Sequence, residues 1–488
     1  MTTSEDIVPS VTGDERIGRR GALRLAVLLV AQFTIALDFS ILNVALPDIG
    51  RGLNLALGDL QWVVTLFALT SAGFTLLFGR VADLLGRRRM FLTGIVLLGV
   101  SSLLGGLANS VTVLLVARVL QGLATAIVAP VAMALLTTTF PEGPRRQKAL
   151  GLGGAMLSAG FTIGAVLGGV LTGLLSWRWA FLINVPACVI VLVVAPILIS
   201  GRERREPARL DAGGAVTITT GLLALVYGIT SAGTNGWGHA LTVVSLAVGV
   251  VLLVAFWLIE LRVPQPLVSL RVLRTPTVKW GNGGGLLTFT MFSAVIFLMT
   301  LYLQRVLGYS PLVTGLAFGV QGVTAFFAGI FAPKIIGRFG NSRTTLFWAL
   351  LLQAVATGAL FALGDGRQWL TLMIVATAVG GFAHVLSVVS FMVTATSGLS
   401  DHEQGLATAM TSLTQQVGIT MGIPILSAVA TARINGMSPT HSQAQSVLGG
   451  TSYAIAVDAV IVLAGALLIG YFLRKAGRVV DPGATTGG

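Results

Sequence analysis

Apolar residues occur along this chain in long blocks separated by short polar segments. Fourteen blocks approach the roughly 20 residues that cross ~30 Å of hydrocarbon as a helix. They fall near 25–46, 60–80, 90–108, 112–135, 149–175, 180–200, 212–232, 240–260, 281–303, 311–332, 344–363, 369–391, 406–430 and 452–473. Hydrocarbon offers no partner to backbone N–H and C=O groups. Helices satisfy those groups internally, so the blocks predict an all-α polytopic membrane protein.

The polar segments alternate in charge. With the N-terminus on the cytoplasmic side, the inner segments carry Arg16 to Arg24, Arg80 to Arg89, Arg145 to Lys148, Arg202 to Arg209, Arg262 to Lys279, Lys334 to Arg343 and Arg474 to Arg478. Together they hold 25 of the 31 Lys and Arg. The outer segments hold Arg51, Arg178, Arg305, Arg367 and Arg433, and Arg118 lies within a span. This bias places both termini on the cytoplasmic face of the cell's inner membrane.

Composition agrees. The chain has 488 residues, 55% of them hydrophobic and 10% charged, with a mean hydropathy of +0.89. The net charge of +13 is spread over short loops and tails. That suits anionic membrane lipids as partners and gives no basic domain to grip nucleic acid. Cys188 stands alone and forms no intrachain disulfide. The first apolar run is too long for a signal-peptide core and reads as a retained helix.

Two linkers organise the chain. Gly201 to Asp211 is a charged run, and Leu261 to Thr277 contains Pro264, Pro266 and Pro276. They bracket two spans and leave six on each side. The predicted division is a tail at 1–24, a six-helix bundle at 25–200, a linker with two extra helices at 201–277, a second bundle at 278–473 and a tail at 474–488. The halves are weakly self-similar: Gly86 and Arg89 align with Gly340 and Arg343, and Gly160-xxx-Gly164 resembles Gly418-xxx-Gly422. Two related halves around a central path suit a transporter.

The most specific local pattern is Gly79-Arg80-Val81-Ala82-Asp83-Leu84-Leu85-Gly86-Arg87-Arg88-Arg89. Gly86 suits a turn with positive φ, and Asp83 can accept bonds from Arg87 or from a neighbouring helix N-terminus. This loop resembles the loop motif of the major facilitator superfamily. Other stretches are similar to motifs of its fourteen-span drug:proton antiporter branch: Leu37 to Pro47 in the first span, Leu114 to Gly122 in the fourth, Gly160 to Gly169 in the fifth, Trp177 to Pro186, and Tyr302 to Pro311. Ala165 stands where Pro is often found, and Ser40 where Thr is usual. The resemblance implies two six-helix bundles with two extra helices, export rather than uptake, Gly79, Asp83, Gly86 and Arg87 as a conformational-switch loop, and Gly160, Gly164, Gly168 and Gly169 as a tight helix contact that limits leak.

Candidate chemistry is sparse. Asp38 lies near mid-membrane, where a carboxylate is costly unless it faces protein or water, so it is a candidate for proton or cation handling. The plainer reading is a hydrogen-bonded structural Asp. Arg118 keeps its charge and needs a partner, and Asp38 sits at a compatible depth. Alternatively, Arg118 is locked to backbone carbonyls and Gln121. Asp458 is a candidate second protonation site, against the reading of a solvated mouth residue. Gln32, Asn43, Gln121, Asn184, Gln304, Gln321, His384 and Gln415 are cavity-lining candidates, or else interhelical bonds.

No phosphate loop, metal cluster or nucleophile–base pair is visible, so no enzyme, metal or cofactor is expected. These observations predict a monomeric, proton-coupled exporter of small amphipathic or cationic drugs or natural products. The alternatives are export of a metabolite or envelope lipid, and a membrane sensor or scaffold that does not transport.

Overall fold

A computed structural model describes residues 18–53, 57–140, 143–199, 211–263, 270–399, 401–437 and 442–479. Arg16, the Arg202 to Arg209 run, Pro264, Pro266 and the chain after 479 lie outside them, as does the side chain of Asn43. The first set of helices comprises α1 (Arg19–Leu53), α2 (Leu57–Leu85), α3 (Arg87–Gly106), α4 (Val111–Thr139), α5 (Pro144–Leu174), the short α6 (Trp179–Leu182) and α7 (Asn184–Leu198). Next come α8 (Ala212–Asn235), α9 (Ala240–Glu260) and a single turn, α10 (Leu270–Arg274). The second set comprises α11 (Pro276–Leu301), which continues as a π-helical turn to Val306, then α12 (Pro311–Arg338), α13 (Ser342–Ala359), α14 (Leu370–Thr396), α15 (Asp401–Met437) and α16 (Gln443–Val479).

Thirteen helices among the described residues are long and apolar enough to cross a membrane. The fourteenth predicted span falls on α8, a helix of 24 residues with an apolar stretch at Gly213–Ile229. The helix α1 begins at Arg19, within the predicted tail at 1–24, and α16 runs to Val479, within the predicted tail at 474–488. Arg24 Nε donates to Leu198 O at 2.7 Å.

The contact scheme repeats. In the first bundle α1 packs on α5, α2 on α4, α3 on α4 and α3 on α7. In the second, α11 packs on α15, α12 on α14, α13 on α14 and α13 on α16. The repeat reaches single bonds. Thr70 Oγ1 donates to Phe67 O and Val119 O at 3.2 and 3.3 Å. Thr324 Oγ1 donates to Gln321 O and Ala378 O at 2.9 and 2.7 Å. The aligned turn glycines match too: Gly86 has φ 99° and Gly340 φ 80°, a region that only glycine occupies freely.

The helix pair α8 and α9 packs on itself and sits across the seam where α2 of one bundle meets α15 of the other. Trp62 of α2 stacks on Tyr227 of α8 with ring centroids 5.8 Å apart. The bundles also touch along α5 and α12. At the end of the molecule that carries the basic loops, Gly151 lies against Gly329, Gly154 faces Val385 and Val389, and Thr137 Oγ1 is 3.5 Å from Thr408 Oγ1. The inter-bundle contacts at this end therefore involve α4, α5, α12, α14 and α15.

Candidate functional site

Five helices of the first bundle converge on one buried ion pair. Asp38 of α1 is fully buried, and Arg118 of α4 is 1% exposed. Arg118 Nη1 donates to Asp38 Oδ2 at 3.1 Å and to Gln121 Oε1 at 2.8 Å. Its Nε donates to Val63 O of α2 at 2.8 Å. Gln121 Nε2 donates to Asp38 Oδ1 and to Ser102 Oγ of α3, both at 2.9 Å. Asn184 of α7 donates from Nδ2 to Asp38 Oδ1 at 2.5 Å and to Ser102 Oγ at 3.3 Å. A buried ion pair is tolerable only when its remaining donors and acceptors are satisfied in this way.

Beneath the guanidinium lies Phe67, with Arg118 Cζ 4.3 Å from the ring centroid. Phe67 belongs to a trio of rings: it is 6.0 Å from Phe39, which lies 5.6 Å edge-on from Phe161. The trio also lines a cavity between the bundles. Its walls come from α1, α2, α4 and α5 of the first bundle and from α14 and α15 of the second. They are mostly apolar, with Ile35, Ala129, Met133, Leu136, Leu157 and Met392 among them. Polar groups reach it from Gln32, Ser71, Thr125, Ser412, Gln415, Gln416 and Thr420. Gln416 Nε2 donates to Ser71 Oγ across the inter-bundle seam. The helix α2 thus presents Val63 and Phe67 to Arg118 and, one turn further on, Ser71 to the other bundle.

The remaining predicted residues separate into distinct places. Gln32 and Gln415 line the inter-bundle cavity. Gln121 and Asn184 do not; they hold Asp38. Gln304 is half-buried in the π-helical turn after α11. Gln321 lines a separate small cavity with Gln353 and Phe292. His384 is bound to Thr288 Oγ1 through Nδ1 at 3.0 Å and stacked on Phe292 at 3.9 Å, so it packs rather than lines. These exchanges have one cause. Helical spacing gives the depth of a polar residue but not which neighbour its face meets.

Asp458 is fully buried, which overturns the solvated-mouth reading. Neither of its carboxyl oxygens has a hydrogen-bond partner among the described residues, and Ala454, Ile455 and Val462 are buried one turn to either side. In the loop motif Arg87 Nε donates to Asp83 Oδ1 at 3.1 Å, one of the two partners expected for that acid. Gly79, Asp83 and Arg87 abut Pro130 and Ala134 of α4. In the α5 motif, Gly160 and Gly164 face α1. A Cβ on Gly160 would lie 2.7 Å from Phe33 O, and one on Gly164 would lie 2.9 Å from Leu37 O. Ser40 Oγ closes the same contact by donating to Phe161 O at 2.5 Å. Gly168 is buried and Gly169 partly so, and α5 runs unbroken through Ala165. Phe67 and Ser102 were not foreseen. Ser102 had a signal, as half of a serine pair inside an apolar span, whereas Phe67 had none.

Comparison with known proteins places this architecture. The sequence profile of the Major Facilitator Superfamily matches residues 28–423, and the chain belongs to that family: it is a polytopic membrane transporter of small molecules, not an enzyme. It is 37% identical over 442 residues to the puromycin resistance protein pur8 of Streptomyces alboniger, covering 90% of this chain and 86% of that protein. It is 36% identical over 466 residues to the cephamycin export protein CmcT of Amycolatopsis lactamdurans, covering 92% and 93%. The lincomycin resistance protein of Streptomyces lincolnensis is 31% identical over 401 residues, 82% of each chain. Among solved structures, the human organic anion transporter MFSD10 shares the fold, with a TM-score of 0.67 at 15% identity, over 93% of this chain and all of that one.

Proposed function

We propose that this protein exports amphipathic drugs or natural products across the cytoplasmic membrane in exchange for protons. The observation that carries the reading is the Asp38–Arg118 pair, separated from the inter-bundle cavity by the Phe67 ring. An acid that trades a proton changes the charge balance of five helices at once. With the proton absent, Asp38 draws Arg118, and with it α4, towards α1. With the proton bound, Arg118 keeps Val63 O, Gln121 and Phe67, and the α1–α4 attraction is relaxed.

The relatives named for resistance or export to puromycin, cephamycin and lincomycin support the direction and the type of cargo. The basic loops support an orientation with the Thr137–Thr408 end and both termini in the cytoplasm. In that orientation the bundles meet at the cytoplasmic end, and rocking about the α5–α12 contact opens it. The division into bundles at 25–200 and 278–473 with an intervening helix pair, a monomeric working unit, and lipid against the exposed valines of α9 belong to the same proposal.

The test is susceptibility of a drug-hypersensitive bacterial host producing the protein, measured with and without a protonophore. Resistance to lipophilic antibiotics that the protonophore abolishes is the expected result. Resistance indifferent to the protonophore would remove proton coupling, and unchanged susceptibility to every compound would remove drug export.

A further inference from the structure

We infer that the cavity selects uncharged amphipathic molecules bearing hydrogen-bonding groups, and discriminates against permanent cations. The inference rests on the reading that this cavity is the transport site, and it settles which half of the amphipathic-or-cationic expectation applies.

The lining contains no Asp, Glu, Lys, Arg or His among the described residues. The nearest acid by position, Asp38, is buried behind the ring trio, and its charge is matched by Arg118 at 3.1 Å. Aromatic faces are the other usual home for a cation. Of the three rings in the wall, Phe67 already carries the Arg118 guanidinium at 4.3 Å, and Phe39 and Phe161 are packed edge-on against each other at 5.6 Å, so the positive charge behind the trio opposes a second cation beside it. A permanent cation entering this space would give up its hydration with no countercharge to meet it.

The polar equipment instead suits hydrogen bonding. Thr125 and Ser412 line the cavity, and their buried hydroxyls have no hydrogen-bond partner among the described residues. They come from opposite bundles, α4 and α15. Gln32 and Gln415 add side-chain amides, each offering both donors and an acceptor. A buried hydroxyl without a partner is costly, so a ligand that supplies the missing bond gains affinity that a purely apolar or charged molecule does not. The cavity therefore reads as an oily box with uncharged hydrogen-bonding posts on both bundles.

The test uses the full chain in lipid nanodiscs, with empty nanodiscs as the blank. Equilibrium dialysis measures triphenylphosphine oxide, a neutral acceptor, against tetraphenylphosphonium, a permanent cation of similar bulk. The neutral probe is expected to bind at least about tenfold more tightly, a modest difference on the affinity scale. The variant Gln415→Glu, which puts a carboxylate in the wall, is expected to shift the preference towards the cation by about the same factor. A thermal-unfolding check confirms that the variant is folded, and a gain of cation binding is not a result that misfolding produces. Equal or tighter binding of tetraphenylphosphonium to the unmodified protein overturns the inference, as does absence of binding by the neutral probe. Because the assay reads binding alone, an exporter that prefers the cation refutes this inference and leaves the export reading intact.

Discussion

Phe67 carries the Arg118 guanidinium 4.3 Å from the centroid of its ring, and the same ring forms part of the cavity wall. One side chain thus touches both the buried charge and the space where cargo is proposed to bind. A molecule that presses on Phe67 changes the footing of Arg118, and a shift of Arg118 changes the wall. The cation–π contact is worth about 2 kcal/mol or more when desolvated, enough to bias a two-state equilibrium but not to lock it.

Phe67→Leu is therefore expected to separate binding from coupling. The leucine fills much of the volume but offers no ring to the guanidinium. Neutral-probe affinity should stay within about threefold, a change under 1 kcal/mol, while substrate-driven proton movement falls steeply. Parallel dialysis and proton-flux measurements check this. Equal loss of both would make Phe67 an ordinary wall residue.

The ion pair itself is expected to be sensitive to shape as well as charge. Arg118→Lys keeps the charge but loses the planar fork that reaches Val63 O, Gln121 and Asp38 together. Arg118→Ala strands Asp38 in a buried site, a loss on the order of 3–5 kcal/mol for a broken buried pair. Export should be lost in both. Membrane abundance and Tm should drop for Arg118→Ala and recover when Asp38→Asn is added, as detergent thermal-shift assays can show. No recovery in the double variant would mean that the two residues do not stabilise each other.

Gly164→Val is expected to force α1 and α5 apart. Its first carbon alone would meet Leu37 O at 2.9 Å and Ser40 Cβ at 3.0 Å. Backbone cannot yield as a flexible side chain does, so the cost falls on helix separation, about 1–3 kcal/mol for overpacking. The checks are a lower Tm and a faster passive proton leak in liposomes. An unchanged leak would reduce the glycine motif to packing.

At the basic end, Thr137 and Thr408 bring their hydroxyls to 3.5 Å across the bundles. A Thr137→Cys, Thr408→Cys pair, made with Cys188→Ala, is expected to cross-link on mild oxidation and to halt export until reduced. Gel mobility and transport are read on the same sample. Export that continues with the bridge formed would exclude opening at this end from the cycle.

Much of this arrangement was legible in the sequence because the membrane simplifies the code. Length and apolarity mark thirteen of the fourteen spans by criteria that the folded helices also meet, and the fourteenth falls on the 24-residue helix α8. Asp38 and Arg118 could be paired because intramembrane charges are few and their depths agreed. For Gln121 and Asn184 the sequence leaves cavity lining and interhelical bonding open, because depth does not reveal azimuth; packing turns both towards Asp38. Asp458 reads as solvated because it lies about six residues into the predicted span 452–473, yet α16 begins at Gln443, and Ala454 and Ile455 beside it share a buried cluster with Leu298, Tyr302 and Leu360. The internal repeat was faint in residues and clear in contacts, since Thr70 and Thr324 preserve the same bonds while Phe67 and Gln321 differ.

The central claim is that Asp38 gives up or takes a proton as cargo moves. Its most direct test is purified protein in liposomes with a trapped pH dye, an imposed pH gradient, and an antibiotic substrate identified in the susceptibility screen added on one side. The account predicts proton flux that begins with substrate in the native protein and is absent in Asp38→Asn, although the variant still binds substrate. Substrate-driven proton flux of native size in Asp38→Asn would contradict it.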